Sequence, residues 1–147
     1  MQIKCISLAM FFLLAFACKA PEKIITLQKT ACYGACPVYT LDIYANREVN
    51  LSAERFVGVG EGEFHLKLSQ AAYSQITRQF ANSNFFSFND RYRANVSDLP
   101  TIFLTFSNGD ERKTIELYGS GPEALHQLAG SLQHLVDSSD WKPKKTK

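Results

Sequence analysis

Residues 37–45 alternate well between two faces. Tyr39, Leu41 and Ile43 fall on one side, and Thr40, Asp42 and Tyr44 on the other. A period of two marks a strand with one buried face and one wet face. Such a strand needs paired neighbours and a second layer over its apolar side. The rest of the chain offers both. Residues 24–27 read as a first strand. Val49, Leu51 and Ala53 return after a turn at Asn46-Arg47, and Phe64, Leu66 and Leu68 resume the alternation. Residues 101–106 and 112–118 form a second hairpin around Asn108-Gly109, a tight-turn pair. Gly58, Gly60 and Gly62 read as a bend or mobile connection, since no P-loop lysine or dinucleotide fingerprint accompanies them.

Two segments switch to the helical period. Ser69 is placed to cap a helix whose Ala72, Tyr73, Ile76 and Phe80 share a face. Gly121-Pro122-Glu123 opens a second helix with Leu125, Leu128, Leu132 and Leu135 as its stripe. Short turns between strands make an antiparallel sheet. The expected fold is therefore α+β: a two-layer sandwich, mainly antiparallel, with two amphipathic helices on one face.

The N-terminus carries an address. One lysine, Lys4, precedes a run from Ile6 to Ala17 in which only Ser7 is polar. The run is shorter than the ~20 residues a spanning helix needs, so a cleaved secretory signal is expected over residues 1–17. Ala15-Phe16-Ala17 places small residues three and one before Cys18. This resembles the lipobox of bacterial lipoproteins, although Ala15 stands where leucine is usual. The resemblance implies an acylated Cys18, with residues 18–23 as lipidated cysteine and tether. Cysteine arithmetic agrees. Cys5 leaves with the signal, acylation occupies Cys18, and Cys32 and Cys36 remain to pair. Ordinary secretion at the same site would leave an odd thiol.

Without residues 1–17 the mature chain has 130 residues, one domain by length, expected over residues 24–140. Removing Lys4 leaves 15 basic side chains against 14 acidic ones, a balance that gives no support to nucleic-acid binding. Residues 141–147 hold four lysines and read as a basic tail, solvated and frayed.

The most distinctive interior run is Cys32-Tyr33-Gly34-Ala35-Cys36-Pro37-Val38-Tyr39. With Phe85-Phe86, Tyr92 and Asp98-Leu99-Pro100, it resembles a bacterial family known as domain of unknown function 6438. In that family a Cys-Tyr-Gly-x-Cys-Pro-x-Tyr run introduces a strand. The likeness spans about residues 24–135. It implies an extracytoplasmic location and no known activity. One departure is Asn46-Arg47-Glu48, where the family favours an Asp-Gly type of turn.

An oxidising compartment makes a Cys32–Cys36 disulfide the default. A redox pair is the sharper alternative. Such pairs usually have two intervening residues and a helix N-terminus nearby, whereas here there are three and a strand. Metal binding is weaker still, because only His65, His126 and His134 could join the cysteines. No cofactor is expected. Tyr33, Asp90, Tyr92 and Asp98 are candidates for a pocket or for fixing loops, and Asp98 suits the turn before Pro100. The segment over residues 85–92 reads as aromatic but irregular, and its Phe85, Phe86 and Phe88 are expected to plug the core. The reading favoured is a membrane-tethered envelope lipoprotein, a non-enzymatic binding or structural module. Its partners would be the lipid bilayer through Cys18 and an envelope protein or ligand. A thiol–disulfide protein using Cys32 and Cys36 is the alternative, and a hydrolase using Asp90 or Asp98 is the weaker one.

Overall fold

The alternation becomes a register. In the computed structural model, which describes residues 20–145, Ile115, Leu104, Leu27, Leu41, Leu51 and Phe64 stand side by side across six strands, all buried. The next row along faces the other way: Thr114, Thr105, Thr26, Asp42, Asn50, His65 and Lys142. One side of the sheet is a hydrocarbon wall and the other a field of hydroxyls, amides and charges. Each large apolar side chain buried on the first side contributes about 1.5–3 kcal/mol, which makes that wall the main source of stability.

The strands are β1 (Lys23–Lys29), β2 (Val38–Tyr44), β3 (Glu48–Arg55), β4 (Gly62–Lys67), β5 (Arg91–Arg93), β6 (Ile102–Asn108), β7 (Glu111–Tyr118) and β8 (Lys142–Pro143). They form one sheet in the order β5-β7-β6-β1-β2-β3-β4-β8, antiparallel except for the β5–β7 pair. Helix α1 (Gln70–Asn82) follows β4, and α2 (Glu123–Ser138) follows β7. Ser69 caps α1 as expected, its hydroxyl accepting from the Ala72 N–H at 3.1 Å.

Both helices lie on the hydrocarbon side. Phe80 of α1 meets Phe106 with ring centroids 5.3 Å apart, and Phe106 pairs across the sheet with Ile25, which pairs with Ile43. Gln133 of α2 bonds to Lys29 and Tyr39, two positions along that same face. The two-layer sandwich thus holds, with Tyr39, Leu41, Ile43, Leu104 and Phe106 buried beneath the helices. Phe85 is buried in the same core and a short 3-10 turn, Phe85–Ser87, brings Phe86 onto Phe106 at 5.5 Å.

Three details differ from the sequence expectation. The second hairpin turns on Gly109-Asp110, one residue later than Asn108-Gly109, because Asn108 still pairs with Glu111. Gly109 takes φ +64°, and a glycine at the first central position is what a type II′ turn favours. The aromatic segment does not remain irregular but continues into β5. The tail is not frayed where it starts. Trp141 is buried with its Nε1–H donating to the Val136 carbonyl at 2.9 Å, and Lys142–Pro143 pair with β4. Burying the indole holds the chain against the sheet edge.

Candidate functional site

The sheet has two ends of different character. At the entry end, Lys23 opens β1, the Ala45 N–H donates to the Glu22 carbonyl at 2.8 Å, and the Leu68 N–H donates to the Arg47 carbonyl at 3.0 Å. The turn at residues 109–110 lies at this end too, since Ile25 pairs with Phe106. At the opposite end lie the loops of residues 30–37, 56–61, 94–101 and 119–122. The first and third are tied together by Thr30 N–H to the Thr101 carbonyl at 3.0 Å and by Tyr33 N–H to the Asp98 carbonyl at 3.4 Å.

The exposed apolar side chains segregate to this second end. Tyr33 is 89 % exposed, Phe56 56 %, Val96 50 % and Leu99 42 %, and all four belong to its loops. Cys32 and Cys36 are joined by a disulfide with Cα atoms 5.7 Å apart, which pins the loop that carries Tyr33. Leu99 and Val96 lie over Gly119, where a Cβ would stand 2.7 Å from Leu99 Cδ1 and 3.0 Å from Val96 Cγ2. The close approach needs glycine, and Gly119 also holds φ +61°.

The four sequence candidates divide into two pairs rather than one pocket. Tyr33 and Asp98 adjoin through the backbone bond above, and the Asp98 carboxylate accepts from the Ser97 hydroxyl at 2.9 Å. Asp98 holds φ +69° at the bend before Pro100. Asp90 and Tyr92 flank the start of β5. The Asp90 side chain is 84 % exposed and pairs with Lys113 at 3.1 Å, while the Tyr92 hydroxyl accepts from the Asn89 N–H at 3.0 Å. Asp90 is bonded to Glu116 N–H, whereas Leu99, next to Asp98, packs over Gly119. Three residue steps separate those anchor points, about 10 Å. The two carboxylates are therefore held at different levels of β7.

Two polar devices escaped sequence reasoning. Lys113, which pairs with Phe106 across the hairpin, turns its ammonium to the carbonyls of Phe86 (3.1 Å) and Phe88 and so fastens the aromatic segment to the sheet. On the helix side, Gln133 Oε1 accepts from both Lys29 Nζ (2.9 Å) and the Tyr39 hydroxyl, while its amide donates to Asp137 at 3.0 Å. Burial pushes the Tyr39 phenol far above its usual range, and the Asp137 charge adds to the shift. Burial lowers the Lys29 ammonium against the pull of Asp137. Neither residue has the isolated periodic signature that would mark it, because each partner comes from a distant element.

A cavity lies on the polar side, across β3, β4 and β8. It has a volume of about 640 Å³ and is lined by Glu48, Asn50, His65, Leu66, Lys67, Asp140, Lys142 and Lys144. None of the four sequence candidates borders it. Among the described residues, no group of three or more His, Cys, Asp or Glu is placed to hold a metal ion, and no helix is long and apolar enough to cross a membrane. Cys18, the expected lipid site, lies outside the described residues.

One family model, described as a domain of unknown function (DUF6438), matches residues 23–136. The match runs from the first residue of β1 almost to the end of α2 and takes in the disulfide loop. No curated protein matches the chain.

Proposed function

We infer the role of this protein from one premise: the chain belongs to the DUF6438 family, whose description assigns no activity. The reading that its geometry supports best is a lipid-anchored envelope module that binds a protein partner through its loop end. The observation that carries this reading is the segregation of Tyr33, Phe56, Val96 and Leu99 to the end opposite Lys23. An anchor at Cys18 enters on the Lys23 side, so it would face these side chains away from the bilayer. Exposed apolar clusters mark interaction surfaces, and a pinned loop loses less entropy on binding than a free one. The lipobox resemblance and the cysteine count support the anchor. Its acyl chains, two or more in such lipoproteins, would hold the protein stably.

The redox alternative is weaker because the chain leaves Cys36 towards a strand, so no helix N-terminus is there to favour a thiolate. The hydrolase alternative is weaker because Asp90 and Asp98 do not converge. The test is photo-crosslinking in intact cells from a reactive side chain at position 33, with position 75 on α1 as control. A discrete adduct from position 33 that Leu99→Ser diminishes is expected. Equal labelling from both positions would reject the loop end as the binding surface. Mass analysis of the mature N-terminal peptide tests the anchor separately, and an unmodified Cys18 thiol would remove it.

A further inference from the structure

We propose that the groove across β3, β4 and β8 is a binding site for a phosphate-bearing anion. Asn50, His65 and Lys142 are direct cross-strand neighbours on the polar face. Side chains so paired stand about 5 Å apart. Lys67 lies two positions from His65 on that face, and Lys144 follows directly after β8, two positions beyond Lys142, so amide, imidazole and ammonium donors line one concavity. Among the described residues, neither Lys67, Lys142 nor Lys144 forms an ion pair, although Glu48 stands opposite Lys67 and Asp140 borders the cavity. These cations are left with free donors. Ammonium groups are point-charge partners well suited to phosphate oxygens.

The site exists because the C-terminal segment is folded. Buried Trp141 and the Lys144 N–H, which donates to the Glu63 carbonyl at 2.8 Å, lay the lysines along β4. The cavity of about 640 Å³ exceeds what one inorganic phosphate fills, leaving room for a phosphoglycerol or phosphosugar group. Its Glu48–Lys67 rim is at the entry end. Five residues from Cys18 to Lys23 reach at most about 18 Å. A lipid headgroup is thus one source of the phosphate and a soluble phosphate the other; the first source rests on the anchor reading.

The full-length protein is extracted in dodecyl maltoside, a detergent without phosphate, and titrated with inorganic phosphate while the His65 ring resonances are followed. It is then placed in nanodiscs of phosphatidylcholine with or without phosphatidylglycerol. The expected result is a saturable His65 response that Lys142→Gln weakens about fivefold and Lys142→Arg restores. Arg78→Gln, which removes a charge from α1 instead, leaves it unchanged. A response to inorganic phosphate identifies a soluble anion, and one confined to phosphatidylglycerol discs identifies a headgroup. No response in either setting, or an equal one in Lys142→Gln, overturns the proposal and leaves the lysines as edge charges that discourage strand pairing. The mass of the N-terminal peptide separates the two readings. A lipidated protein with a silent groove defeats this site alone, and an unlipidated protein that binds phosphate defeats the anchor alone.

Discussion

Arg47 sits where glycine would be at ease. It closes the β2–β3 turn at φ +70°, with its N–H donating to the Tyr44 carbonyl at 2.9 Å. A side chain in this left-handed region costs about 1–2 kcal/mol through its Cβ. The departure from an Asp-Gly turn, visible in the sequence, therefore has an energetic meaning. Arg47→Gly is expected to raise stability by about 0.5–1 kcal/mol, the gain being reduced by the freer unfolded chain, as measured by urea unfolding. Tyr39 makes a second prediction. Its folded-state phenol titrates above the ordinary value of 10.0, so the folded state keeps a proton that the unfolded state loses. Stability from this group is intact below about pH 10 and falls above it, by up to about 1.4 kcal/mol per pH unit. The lowered Lys29 acts in the opposite sense. Between its folded value and 10.5 the unfolded state binds the extra proton, so stability rises with pH there. Burial also raises the Tyr73 phenol, with the Glu22 charge adding to it, so Tyr39→Phe should shrink the alkaline decline in denaturant titrations without removing it, and a decline unchanged in the variant would assign it elsewhere.

Elements with a sustained period were legible and short ones were not. β2 announces itself through Tyr39, Leu41 and Ile43, and α2 through its leucines. β5 has three residues and β8 two, too few to show any alternation. Their existence depends on neighbours, β7 and β4, that only the fold supplies. The disulfide loop was legible because Cys32 and Cys36 had no other partner, whereas its contact with Asp98 was not. The groove was hidden for the same reason as β8: Lys142 and Lys144 are ordinary tail lysines until Trp141 is buried. At this scale the Cys32–Cys36 bridge closes a loop spanning four residue steps, so the chain-entropy account assigns it about 2 kcal/mol at most. Replacing both cysteines with serine should lower stability by that amount or less and leave the fold intact. Near-native far-ultraviolet circular dichroism with a modestly lower urea midpoint is the expected record, and loss of the fold would show that the bridge holds more than its loop.

At the scale of the whole molecule, the sheet order places the first strand in the middle. β1 has β2 on one side and β6 on the other, both antiparallel, with five paired positions to β6. At the other end of the described residues, β8 pairs with β4 at two positions and forms the edge of the sheet that those residues make. Ladder hydrogen bonds lie across the strands. A pull on the N-terminal end therefore runs along β1 and strains two ladders together in shear. A pull on the C-terminal end peels β8 from an edge, bond after bond. Forced extension between residue 20 and a handle within β2 should need distinctly more force than extension between residue 145 and a handle within β4, as optical tweezers would measure. In the anchored form proposed above, the load would arrive at the strand best placed to bear it, so the same topology that buries β1 would make that attachment point the mechanically strong end of the molecule.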